Sequence, residues 1–365
     1  MKDPIRYTPA LERPEPDEGE TVAALNEALG EIMDTTAKDL GHAIRSVHAK
    51  SHSILTGTLT VLPDLPPELA QGLFARPGEH PALLRISTNP GDLLPDNISL
   101  PRGVGLKVLE VEGARLEGSE GESTQDFLLV NGPAFVAKSP KQFLGNLKLL
   151  AKTTDRVEWA KTALSAVLRM TEKALEAVGG ESATLKTLGG SPNVHPLGET
   201  YYSQTAFRHG DFVAKYSLAP VSGSLTRWTG QEIATEGHRD AIREEMDAAT
   251  RQLPMEWELR AQLCRDPETM PVEDPTVLWE EAESPFVAVA RLRAEPQGSW
   301  NEARAAQVDD RMRFSPWTGL EAHRPLGAIN RVRKETYEAS AAFRSRVNGC
   351  PVHEPALAEL PVVAD

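Results

Sequence analysis

Apolar and polar side chains alternate at period two in two separate runs of short segments, and a chain with that pattern puts a sheet at its centre. The first run holds Ile54–Leu62 (ILTGTLTVL), Ala82–Thr88, Val104–Val111 and Gln125–Asn131, parted by punctuation such as NPGD and LPRG. The second holds Tyr201–Phe207 and Phe212–Ala219, joined by the turn RHGD, and then Phe286–Leu292. Helical spacing falls around and between these runs. It occurs at about 19–40, with Val22, Leu25, Leu29 and Ile32 on one face, and at about 140–180. It returns at Pro325–Val347, where Asn348 and Gly349 form a helix stop. The βαβ alternation of a parallel sheet is missing, so the pattern predicts an α+β fold on an antiparallel sheet or barrel. No glycine-rich phosphate loop opens a helix, which leaves nucleotide binding without support.

The 365 residues suffice for one large domain or two. Residues 1–18, rich in proline and acid, read as a flexible N-terminal arm with little that could form a core, 19–348 as one domain, and 349–365 as a tail. A formal charge of −14 argues against wrapping nucleic acid. No apolar run approaches the length of a membrane span, and the N-terminus lacks the apolar stretch of a signal peptide, so a cytoplasmic protein is expected. Cys264 and Cys350 are too few for a disulfide framework or a thiolate metal site.

Several side chains invite a chemical reading. Arg333, Tyr337 and Arg344 lie along one face of the last helix, since their spacings are four and seven. Arg333 would stabilise a Tyr337 phenolate, one of the few protein ligands that hold ferric haem, and Arg344 could pair with a propionate. An exposed basic helix whose tyrosine packs against the core accounts for the same residues. His48, in the segment RSVHAK, could move a proton between two peroxide oxygens or be an ordinary packed histidine. Asn131 could hold a bound peroxide or cap the turn before Gly132 and Pro133. In LLRIST, period two sets Arg85 and Ser87 on the face opposite Leu84 and Ile86, where an arginine wants an anion.

Taken together and in order, these segments resemble the haem catalase family. RSVHAK (45–50) resembles its distal-histidine segment, with Ser51 where the family has glycine. LRIST (84–88), LPRGVGLKV (100–108), DFLLVNGPAF (126–135), the S-P-x-x-F ending at Phe143, and RKETY (333–337) resemble further family motifs. The matches span roughly residues 40 to 348. The resemblance implies an antiparallel β-barrel core with flanking helices, a single haem domain and haem b as cofactor. It implies His48 as distal acid/base, Asn131 as distal amide and Tyr337 as axial ligand held as phenolate by Arg333. Arg45, Arg85 and Arg344 would hold the propionates, Val47 would narrow the approach to the iron, and Phe143 would stack near the ring. Ser87 would orient the distal imidazole.

The departures point to the small catalase-related branch. The chain is shorter than the typical enzyme, the family's Asn-Asn pair is Val130-Asn131, and several aromatics are aliphatic, such as Ile86 and Val108. A histidine expected behind the proximal arginine appears as Ser217. The resemblance therefore implies a peroxide-consuming oxidoreductase, acting on hydrogen peroxide or small organic hydroperoxides, with an organic reductant and a homo-oligomer compatible with it. Two alternatives stay open: rearrangement of a fatty-acid hydroperoxide, and a haem-binding protein of weak catalysis. Val47 before the distal histidine favours peroxide reduction or dismutation over rearrangement. A plain α+β scaffold without haem remains a further reading.

Overall fold

A computed structural model describes residues 1–154 and 193–361. Chain order runs α1 (Glu18–Leu40), β1 (Ser51–Val61), β2 (Gly78–Thr88), β3 (Arg102–Val108), β4 (Gln125–Val130) and α2 (Pro140–Thr154). After the undescribed stretch come β5 (Tyr201–Tyr202), β6 (Phe207–His209), β7 (Phe212–Pro220), α3 (Ala241–Thr250), β8 (Met255–Leu263), β9 (Val287–Ala294) and α4 (Ala328–Asn348). The continuation of the second helical pattern beyond residue 154 lies outside the described residues.

All strand pairings are antiparallel. β1 pairs with β2 and β9, the order continues β2-β3-β4-β5 on one side and β9-β8-β7 on the other, and β5 pairs with β7. Eight strands therefore close a barrel, and β6 folds back on β7 as a hairpin. Closure removes exposed sheet edges. Period two then sorts the residues: Leu55, Leu59, Leu84, Ile86, Val104, Leu106, Phe127 and Leu129 point inward to one buried cluster. β8 completes that cluster with Met255, Trp257, Leu259, Ala261 and Leu263. Sequence reading missed β8, although MEWELRAQL alternates cleanly, because its outward glutamates and arginine lower its apolar content.

At one end of the interior, Tyr216 Oη lies 2.9 Å from both His209 Nδ1 and His323 Nδ1. The far nitrogens of these rings meet Leu69 O and Leu73 N–H, each at 2.9 Å. Every polar atom of this buried trio thus has a partner, as burial demands.

The outer face of β1–β4 is covered by residues 304–318 and by the helices. Ile54 and Leu83 pack there against Val308, Met312 and Phe314. Val22, Leu25, Ala28 and Leu29 of α1 pack with Leu147 of α2 and Val332 of α4. α1 and α4 both end on a left-handed glycine, Gly41 (φ +67°) and Gly349 (φ +64°). The N-terminal segment, with little core-forming content in sequence, lies against the barrel through Ile5, Tyr7 and Leu11. Its Glu12 joins Glu18 and Glu273 around Arg331 of α4. The tail contributes Glu354, which with Asp126 closes on the fully buried Lys107 of β3. Among the described residues no helix is long and apolar enough to cross a membrane.

Candidate active site

Residues 45–50 cross the outer face of the barrel between α1 and β1. Ser87, Gly103 and Val130 are register partners across β2, β3 and β4, so they form one row on that face. The imidazole of His48 sits over the middle of the row. A Cβ on Gly103 would lie 2.3 Å from His48 Cε1 and 2.6 Å from Nδ1, so glycine alone leaves room for the ring. His48 itself has φ +53°, an uncommon conformation for a side chain with a Cβ. Two main-chain bonds hold it there, His48 N–H to Asn89 O at 2.6 Å and Ala49 N–H to Pro90 O at 3.0 Å. Strain of this kind clusters at functional sites.

Ser87 Oγ lies 3.3 Å from His48 Nδ1 and 3.4 Å from Gly103 O. With its one proton donated to the carbonyl, the hydroxyl accepts from Nδ1–H, which makes Nε2 the nitrogen with the free lone pair. That nitrogen is turned away from Ser87. The residue keeps some accessible surface, yet burial, followed by the charges of Arg85, Arg333 and Arg45, pushes the imidazole pKa down to about 3. His48 is a neutral, oriented base at ordinary pH.

Three guanidiniums, those of buried Arg85 and Arg344 and of mostly buried Arg45, converge beside it on the segment 308–312. Arg85 Nε donates to Asp309 Oδ1 at 2.6 Å, and its Nη2 donates to His48 O and Ala49 O. Arg45 Nη2 donates to Val308 O and Met312 O. Arg344 Nη1 donates to Asp309 O at 2.5 Å. Asp309 stands among the three cations, and the Asp310 carboxylate also acts on Arg45 and Arg344. Burial opposes the ionisation of Asp309, but Arg85, Arg45 and the Ser51 hydroxyl outweigh that and hold its pKa below the ordinary value. Positive charge remains in excess. Arg45 Nε and Arg344 Nε are buried without a hydrogen-bond partner, and burial pushes the Arg344 pKa down to about 10.

On α4, Arg333 Nη2 donates to Tyr337 Oη at 3.2 Å. Arg333 is backed by Asn330 Oδ1 at 3.2 Å, which also accepts from Thr205 Oγ1 at 3.1 Å. Ser217, which stands in sequence where the resemblance expects a supporting histidine, has no hydrogen bond to Arg333 among the described residues; Asn330 fills that role. Ser46 N–H donates to Ser340 Oγ at 3.2 Å, so the His48 segment and α4 are in direct contact. Val47 and Phe143 pack on the apolar cluster that includes Val332 of α4. His48, Val47, Phe143, Arg333 and Tyr337 are each partly accessible.

The structure thus brings together Arg45, Val47, His48, Arg85, Ser87, Phe143, Arg333, Tyr337 and Arg344. Asn131 is differently engaged. Its Oδ1 accepts from Arg102 N–H at 2.8 Å and its Nδ2 donates to Glu199 at 2.6 Å, and no hydrogen bond joins it to His48. The residue of that pair sharing the outer row with His48 is Val130, while Asn131 lies past the end of β4 with its amide held by Arg102 N–H and Glu199. Sequence reasoning also missed Asp309 and Asn330. The acidic pair after Val308 was the available signal for the first, and three-residue helical spacing to Arg333 for the second.

No family model and no curated protein matches the chain. Solved structures do. Catalase A from Saccharomyces cerevisiae is similar at TM-score 0.57 and 16% identity over 86% of this chain and 63% of that one. A fungal catalase (0.56, 17%, 86% and 62%) and a bacterial catalase (0.55, 16%, 86% and 60%) are similar to the same degree. The fold is therefore that of the catalases, a closed antiparallel barrel with flanking helices. The aligned region spans 60–63% of the length of these catalases.

Proposed function

We propose that this chain is a haem-dependent, peroxide-consuming oxidoreductase resembling the small catalase-related branch. The observation that carries the reading is His48, a neutral imidazole anchored through Nδ1 on Ser87, on a segment in contact with the helix bearing the Arg333–Tyr337 pair.

The donor set fits a haem. Arg344 Nε and Arg45 Nε are buried without a hydrogen bond, the latter 3.8 Å from Asp309 Oδ1, in a cluster of three cations that suits the two propionates of haem b. Tyr337 would hold the haem iron through its phenol oxygen, to which Arg333 Nη2 donates. When bound, haem supplies the iron through which electrons reach the peroxide O–O bond.

The chain's own residues then manage the protons. His48 Nε2 takes the proton from the near peroxide oxygen and returns it to the far one, which leaves as water or alcohol when the O–O bond breaks. Ser87 keeps the tautomer that makes this transfer available in one direction. The two electrons consumed are restored by a second peroxide, oxidised to dioxygen, or by an organic donor.

An absorption spectrum of the haem-supplied protein tests the proposal. A Soret band with a high-spin ferric tyrosinate pattern is expected, lost or shifted in Tyr337→Phe. His48→Ala, with the band retained, should lose about 10²–10⁴-fold in peroxide turnover. A protein that binds no haem overturns the reading, and undiminished turnover in His48→Ala removes the acid/base role.

A further inference from the structure

We infer that the peroxide taken by this site carries a hydrocarbon group, an organic hydroperoxide in preference to hydrogen peroxide, and that Val130 is a specificity-determining residue. The inference rests on the functional reading above. It starts from the row Ser87–Gly103–Val130 across three neighbouring strands. His48 lies over the middle position, with Nδ1 turned to the Ser87 side. Neighbouring strands are roughly 5 Å apart, so the residue flanking the imidazole on the other side is an isopropyl group.

The polar groups that could replace it are committed elsewhere. The Asn131 amide bridges Arg102 N–H and Glu199. The Gln204 amide donates to Gly132 O and Ala134 O. Ser87 is engaged with His48 and Gly103. Apart from the Arg333–Tyr337 pair on α4, partly accessible apolar side chains stand near His48: Val47, Phe143 and Phe135, the last two with ring centroids 5.4 Å apart. Phe143 and Val47 lead on to Leu25, Leu29 and Leu144.

A hydrogen peroxide molecule has a hydroxyl at each end. His48 can serve one, and the second, placed against Val130, would lose water and gain no partner. An organic hydroperoxide has one hydroxyl, for His48, and a hydrocarbon end that gains by leaving water. The wall therefore discriminates by what it fails to satisfy.

The test uses the full chain loaded with haem, with Soret intensity as the check on folding and loading. The ratio of kcat/KM for cumene hydroperoxide over hydrogen peroxide should exceed one and fall about tenfold or more in Val130→Asn. Val130→Thr, nearly the same shape, should move it the same way. Calorimetric binding of cumyl alcohol, which cannot react, should weaken about fivefold in Val130→Asn. A ratio below one in a fully loaded parent, or a ratio and an affinity unmoved by both variants, overturns the inference while leaving the haem reading intact. A missing Soret band overturns the haem reading and this inference with it.

Discussion

The two faces of the barrel wall are made from alternate residues of the same strands, yet they are built on different terms. Inward, β1–β4 present Leu55, Leu59, Leu84, Ile86, Val104, Leu106, Phe127 and Leu129 to a single apolar cluster. Outward, besides apolar Ile54, Leu83, Leu128 and Val130, they present Arg85, Ser87, Gly103, Gly105, Lys107 and Asp126. Each inner side chain contributes by area removed from water, roughly 1.5–3 kcal/mol, and tolerates exchange for another of similar volume. The polar and glycine positions of the outer face work through specific neighbours: Arg85 through Asp309, Ser87 through His48, Gly103 through the space it leaves for the ring. A closed, densely packed interior makes the wall stiff. A stiff wall can carry a histidine at positive φ and three crowded guanidiniums on its other side, at a cost the interior offsets.

The contrast can be broken first at Lys107, an outer-face ammonium held by Asp126 and Glu354. Lys107→Met keeps the volume and leaves two buried carboxyls facing each other, so unfolding stability should drop by about 3–5 kcal/mol in urea titration. If the loss is under about 1 kcal/mol, the outer face tolerates exchange as freely as the inner one and the distinction fails.

A smaller effect sharpens the comparison from inside, where His209 and His323 are the polar exceptions. Burial is the main cause that pushes His209 down to about 4 and His323 down to about 3. An unfolded histidine binds its proton below about pH 6.5, whereas these folded ones stay neutral well below that. Their stabilisation is therefore complete above about pH 6.5 and is lost as the pH falls toward 4 and then 3. At pH 5 the loss should be about 2 kcal/mol for each ring. Urea midpoints at pH 7.5 and 5 in the parent, His209→Asn and His323→Gln would check this; equal pH slopes in all three would show that these rings titrate as free histidines.

How much of this was legible in the sequence follows the same division. The inner face was, because period two survives wherever one side of a strand must avoid water: β1, β2, β3, β4 and β7 lie where alternation put them. The α4 stop at Gly349 was equally plain. For the outer face, sequence could nominate Arg45, His48, Arg85, Ser87, Arg333, Tyr337 and Arg344, since their residue types carry chemistry. It could not supply their partners. Asp309 reaches Arg85 from 224 positions away and Glu354 reaches Lys107 from 247. Asn330 displaced Ser217 behind Arg333 because helix geometry brings i and i+3 together, while β7 is spent on other pairings.

Asn131 is where residue type and geometry disagree most, and it yields the smallest effect worth measuring. As a distal amide touching peroxide, its loss would cut turnover about 10²-fold, as removal of a positioned donor does. Its hydrogen bonds say otherwise: one carbonyl oxygen caps Arg102 N–H, and one amide nitrogen satisfies Glu199, whose pKa burial raises. Asn131→Ala should therefore cost about 1–2 kcal/mol of stability by leaving that N–H and carboxyl under-satisfied. Turnover per bound haem should stay within about threefold, because Val130, not Asn131, flanks the imidazole. A loss of turnover near 10²-fold with stability unchanged would return the amide to the site and make the outer row a poor guide to what touches the substrate.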